Sequence, residues 1–303
     1  MSRRELALLL PLSVIGLTGC RTIAVHMMSD AVADSGASYA KDDDPELVRQ
    51  AVPFGLKTME GLLDENPDDE RLLTALASGF TQYAYAFVQT DADLADLSGQ
   101  LEVARAGHER ARKLFLRARD YGLRGLEVRH KGLRGALLAG GDLAKPLGAL
   151  KREDVPLLYW TASSWALAIS DGKNDMSLVA QLPQAVGMME RALSLDEGWG
   201  EGSLHEFFVS YDATRTEAEG GGPARAKEHL DRALALSKGE KLGPRVAYAE
   251  GVLVGLQDRG EFTRTLTDVL GVDAEAVTRY RLANILAQRR ARALLAHADD
   301  LFL

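Results

Sequence analysis

The sequence predicts an all-α protein built as a helical repeat array, on three observations. Proline-marked helix starts recur along the chain. Alanine and leucine dominate the stretches of about 12–22 residues between those marks. No segment shows the period-two alternation, bounded by hairpin turns, that would mark a strand. Together they predict roughly ten to twelve helices joined by short turns. Asp44-Pro45-Glu46 places a capping carboxylate before a proline at the first helical position. Asn66-Pro67-Asp68-Asp69-Glu70 repeats the signal, with acids in the first turn to oppose the helix dipole. Asp154-Val155-Pro156, Gly222-Pro223 and Gly243-Pro244 mark three further starts.

Internal repetition supports the array. Met189-Glu-Arg-Ala-Leu-Ser-Leu195 and Leu230-Asp-Arg-Ala-Leu-Ala-Leu236 are near copies 41 residues apart, each at the end of an expected helix. A small alanine lets neighbouring helices approach while leucine fills the layer between them. Met59-Glu-Gly-Leu-Leu63 reads as a degenerate third copy. The offset exceeds the 34-residue tetratricopeptide unit, so the expected fold is TPR-like with irregular units, over residues 45–303. An ordinary helical bundle with chance Ala/Leu similarity is the alternative.

The N-terminus carries a different kind of signal. Arg3 and Arg4 precede an apolar run from Leu6 to Leu17 that is too short to span a bilayer and has the length of a signal-peptide core. It ends in Leu17-Thr18-Gly19-Cys20, the pattern of a bacterial lipobox, and Cys20 is the one cysteine of the 303 residues. Residues 1–19 are therefore expected to be a signal peptide and Cys20 a lipidated N-terminus carrying palmitate-type chains, more than one of which is needed for stable anchoring. Arg21, where lipoproteins kept in the inner membrane often carry Asp, points to the periplasmic face of the outer membrane. Residues 20–44 would be the lipidated end and its connector, able to reach about 80 Å if fully extended.

Composition narrows the function classes. Removal of residues 1–19, which carry Arg3, Arg4 and Glu5, changes the formal charge from −8 to −9. That acidity disfavours nucleic acid as a partner. With Cys20 consumed by lipid, no thiol remains for disulfides, metal binding or nucleophilic chemistry. The Gly-rich turn Glu219–Pro223 lacks the Gly-Lys-Ser/Thr ending of a phosphate loop. His205-Glu206 is half of a zinc-binding HExxH helix, but Val209 stands where the second histidine is required. No nucleophile–base set is visible, so no enzyme activity and no cofactor are expected. Arg105 to Arg134 is the one basic stretch, either a solvated helix face or a docking patch for an acidic partner.

Four segments go beyond generic helix: Ser78–Gln89, Arg117–Glu127, Leu158–Ser170 and Arg225–Phe262. With the lipobox, they resemble the T-component lipoproteins associated with TRAP transporters, over nearly the whole mature chain. The resemblance implies an α-helical, TPR-like periplasmic lipoprotein that partners a periplasmic TRAP substrate-binding protein. It further implies a homotrimer with a pore or cavity through each protomer, suited to a small hydrophobic ligand. A general TPR-like scaffold for envelope assembly, with a filled core, is the competing expectation.

Candidate cavity residues follow from helical spacing. Phe80, Tyr83 and Phe87 recur at i, i+3, i+7 and are expected to face the core, while Gln82, Tyr85 and Gln89 form the opposite stripe. Tyr159, Trp160 and Trp165 crowd large aromatics with polar handles into one helix, which suits an apolar pocket with a few directing groups. His205 completes the candidate set.

Overall fold

The computed structural model describes residues 36–303, with side chains from residue 38 onward. The signal-peptide and lipidation readings, including Cys20, lie outside the described residues. Within them the chain is all-α, with no strand. The principal helices are α1 (Pro45–Glu65), α2 (Glu70–Tyr83), α3 (Thr90–Leu97), α4 (Leu101–Arg129), α5 (Val155–Asp171) and α6 (Leu182–Leu195). They continue with α7 (Ser203–Ala213), α8 (Pro223–Leu236), α9 (Gly243–Tyr248), α10 (Arg259–Gly271) and α11 (Arg281–Ala296). Two π-helical segments interrupt this order, Ala84–Gln89 between α2 and α3 and Ala249–Leu253 after α9.

The caps follow local chemistry. Asp44 accepts hydrogen bonds from the backbone N–H of Glu46 (3.0 Å) and Leu47 (3.1 Å), satisfying two orphan donors of α1. The second start is displaced from its expected place. Asn66 closes α1 and Asp69 caps α2, accepting from the Leu72 N–H at 3.1 Å, so Pro67 sits in the turn between the helices. A side chain capping two residues past the proline competes better than Asn66, whose own backbone N–H still bonds the Leu62 carbonyl of α1. The starts at Val155, Pro223 and Gly243 fall where the prolines put them.

Most helices pack on helices close by in the chain, with the long α4 as a spine against α2 and α5, an arrangement compatible with a repeat array. The two near-copy motifs are the last turns of α6 and α8, and their alanines, Ala192 and Ala233, are both fully enclosed. The closest approach is α4 against α5. A Cβ on Gly122 would lie 2.0 Å from Thr161 Oγ1 and 3.3 Å from the Thr161 Cα, so only glycine admits this spacing. Two large apolar clusters result. One lies among α4, α5, α6 and α7 around Trp165, the other among α9, α10 and α11 around Phe262. The last helix, α11, returns to touch α1. None of the described helices is long and apolar enough to cross a membrane.

Three arginines of the basic stretch are engaged within the fold, while Arg105, Arg110, Lys131 and Arg134 are exposed. Arg112 pairs with Glu109, Arg119 lies over the Trp165 ring, and Arg129 reaches Glu70 and the buried Asp154. These arginines serve packing within the array and present little free charge to a partner.

Candidate functional site

The two π segments carry Tyr85 and Glu250, which lie close enough to interact. A π turn adds part of a residue per turn and re-aims the side chains it carries. The first holds Tyr85, whose residue surface is 56% exposed although burial among surrounding protein pushes its phenol pKa well up. A side chain that is open to water yet strongly desolvated lines an inward recess rather than the outer surface. The charges that reach it come from four separate elements: Glu250 from the second π segment, Glu206 from α7, Arg290 from α11 and Asp93 from α3.

Tyr159 on α5 faces the same space. Burial raises its pKa, Glu206 and Tyr85 add to the rise, and the Ser163 and Ser203 hydroxyls oppose it. Its ring sits 4.8 Å from Trp160 and 4.6 Å from Trp199, giving an aromatic wall of three rings. Trp199 is placed by an unusual turn in which Gly200, Glu201 and Gly202 all take positive φ. A Cβ on Gly202 would strike the Ala233 carbonyl at 2.7 Å, so this glycine is demanded both by its φ of 95° and by the close approach of α8.

The polar end of the recess is ionic. Arg290 grips Glu250 through two hydrogen bonds, one of 3.1 Å from Nε, and lies 3.3 Å from Asp93. At the opposite side, Lys241 Nζ donates to Ser203 Oγ at 2.7 Å and to the Gly200 carbonyl, over the face of Tyr280. Glu206 has its pKa raised by burial, with Lys241 as the cation that counters the rise.

Asp93 carries a testable consequence. Burial raises its pKa from 3.8 to about 6 even though Arg290 pulls it down. Between these values the folded chain holds a proton that the unfolded chain has released, so stability falls as pH rises through that window and the cost is complete above about 6. Asp93→Asn is therefore expected to melt about 2–4 °C higher than wild type at pH 7.5, with the gain vanishing near pH 4. Thermal unfolding followed by circular dichroism at the two pH values checks it. An equal gain at both would assign the effect to packing.

The structure separates the sequence candidates. Tyr85, Tyr159 and Trp160 gather at the recess. Gln82 is exposed and Gln89 is buried, so the expected stripe does not persist. The π segment rotates Gln89 out of it, and its amide donates to Asp171 Oδ1 at 2.9 Å, beside His108. Trp165 is completely enclosed in the core, its indole N–H donating to Gln181 Oε1 at 3.0 Å, and it reaches no open space. His205 lies elsewhere, bonded to His229 and Glu197. Phe80 and Phe87 are buried and Tyr83 is half-buried. Sequence reasoning missed Asp93, Glu206, Lys241, Glu250 and Arg290 as one group.

A sequence model of the TRAP transporter T-component family matches residues 41–302. The chain belongs to the TRAP transporter T-component family. The match spans every element that builds the recess, from α1 to α11. This T-component is also 33% identical over 276 residues to an uncharacterized protein of Treponema pallidum (strain Nichols), covering 89% of this chain and 84% of that one.

Proposed function

We propose that this T-component is a non-enzymatic accessory of a TRAP-type transport system that docks a periplasmic substrate-binding protein and passes a small ligand through its recess. The single observation that carries the ligand half is the recess itself. An array serving only as a scaffold gains nothing from placing Tyr85 and Glu206 beside open space, since a desolvated ionisable group costs stability unless it is used. The ligand's apolar body would rest on Tyr159, Trp160 and Trp199, and a polar end would meet the charged groups. In this reading the protein is lipid-anchored through Cys20 at the periplasmic face of the outer membrane and assembles as a homotrimer by heterologous contacts.

Capture from native envelope extract tests the proposal, with the tagged, lipid-free chain from residue 20 as bait and mass spectrometry as readout. A periplasmic substrate-binding protein is expected in stoichiometric amount. Recovery of outer-membrane assembly or polysaccharide components alone would overturn the reading in favour of a scaffold.

A further inference from the structure

A second concavity lies on the other side of α7, among α6, α7 and α8, with a volume of about 550 Å³. That is within the range of small-molecule sites. None of Tyr85, Tyr159, Glu206 and Arg290 lines it. Its floor is formed by His229 and Asp212, 7% and 3% exposed. The carboxylate of Asp212 has no hydrogen bond among the described residues. Its nearest polar neighbours are Arg215 Nη1 and His229 Nε2, each at 3.6 Å.

The hydrogen-bond network assigns the proton positions. Glu197 is held ionised by two bonds from Arg232, of 2.6 and 2.8 Å, which with His205 bring its pKa down to about 2. A carboxylate only accepts, so His205 Nε2, 3.1 Å away, carries the proton. Burial lowers the pKa of both histidines, that of His229 to about 4, so each ring is neutral and holds one proton. His205 Nδ1 is then a bare acceptor, and the 2.8 Å contact requires His229 Nδ1 to donate to it. His229 Nε2 is left as a lone pair beside the Asp212 carboxylate. His229 and Asp212 thus present two acceptors and no donor, the Arg215 guanidinium standing off at 3.6 Å.

The charges around it leave one carboxylate unmatched. Glu197 is matched by Arg232, Arg225 by Glu228 at 3.0 Å, and Asp212 by Arg215, whose guanidinium lies over the Tyr211 ring. Glu190 lines the rim, exposed, with no ion pair among the described residues. Leu193 to Leu195, where α6 ends, add the negative end of a helix dipole to the wall. Phe208, stacked on His229, and Tyr211, under the Arg215 guanidinium, add apolar ring edges to the lining. The described residues bring no three histidine or carboxylate groups into a metal-binding arrangement, which sets this site apart from a cation trap.

We propose that this concavity binds a small monocationic organic ammonium, its N–H groups directed at His229 Nε2 and Asp212 and its apolar body laid against Phe208 and Tyr211. An ammonium brings donors and no acceptor, which is what the floor lacks. One positive charge balances Glu190, and the ring edges of Phe208 and Tyr211 favour a cation with an apolar body.

Titration calorimetry at pH 7.5 with 2-phenylethylammonium, on the same lipid-free chain, tests the inference. Saturable binding is expected, with 2-phenylethanol and phenylacetate at least about tenfold weaker. Asp212→Asn is expected to weaken the amine by about tenfold, and the exposed Glu190→Gln by a smaller factor of about three. Tyr85→Phe, in the recess, leaves the affinity unchanged, so this result and the transport reading stand or fall separately. Equal binding of the alcohol, loss of affinity in Tyr85→Phe, or absence of saturation up to about 10 mM would overturn the inference. Glu190→Gln keeps the test decisive if Asp212→Asn fails to fold, because a rim substitution leaves the buried floor intact; wild-type affinity in that variant would then overturn it.

Discussion

Trp165→Ala is expected to lower the unfolding free energy by about 3–5 kcal/mol, among the largest effects of any single truncation in this chain. Trp165 is the largest of its fully enclosed side chains and packs within the cluster that joins α4, α5, α6 and α7. Truncation opens a cavity that close-packed helices only partly close. It also leaves Gln181 without its indole donor and removes the ring under the Arg119 guanidinium. Urea denaturation should show the midpoint falling by about 1–2 M. Trp160→Ala provides the contrast. Trp160 is half-buried at the recess wall, so its loss should cost a fraction of that and alter ligand binding instead. Similar losses for the two variants would mean that the three-ring wall is part of the core and the recess is closed.

The distinction between those tryptophans was not legible in the sequence, and the reason is physical. Helix starts are announced by residues one to three positions away. That is why Asp44, Val155, Pro223 and Gly243 are correctly placed, while Asn66-Pro67 misleads by three residues because Asp69 offers a competing cap. The near-copy motifs likewise locate two helix ends, because an alanine at a close crossing is a local requirement. The recess depends on distant parts. Tyr85, Tyr159, Glu206, Glu250 and Arg290 come from five elements spread over most of the chain; Tyr85 and Tyr159 stand out by helical spacing, while Glu250 and Arg290 each alone read as surface residues. Helical spacing also assumes an unbroken α-helix. The π segment at Ala84–Gln89 violates that assumption, keeping Tyr85 at the recess and turning Gln89 into the interior. His205 was singled out for the glutamate that follows it, yet its partners, Glu197 and His229, lie 8 and 24 residues away.

Arg290→Met is expected to be the most damaging change at the recess, costing about 2–3 kcal/mol at neutral pH. The arginine joins α11 to the second π segment through Glu250 and to α3 through Asp93, so one side chain ties three elements that lie far apart in sequence. Removing one partner of a buried ion pair commonly costs about 3–5 kcal/mol, because the remaining charge is left uncompensated. Here Glu250 keeps contact with solvent, which screens part of the effect. Two carboxylates would then lie near each other with only His108, 3.8 Å from Asp93, to offset them, and protonation is the way to relieve them. Asp93 already has its pKa raised by burial, so the variant's deficit should shrink as pH falls toward about 4, the reverse of ordinary acid unfolding. Combining Arg290→Met with Glu250→Leu and Asp93→Asn should recover most of the loss, since exchanging a buried charge cluster for uncharged side chains of similar volume is often neutral to stability. The recovered protein would separate the two roles of the cluster. If it folds as well as wild type and still hands ligand to or from the binding protein, the charges serve cohesion alone; if it folds but fails in that exchange, they act on the ligand. A loss below about 0.5 kcal/mol in Arg290→Met itself would show the cluster to be fully hydrated, and the recess wider than its close contacts imply.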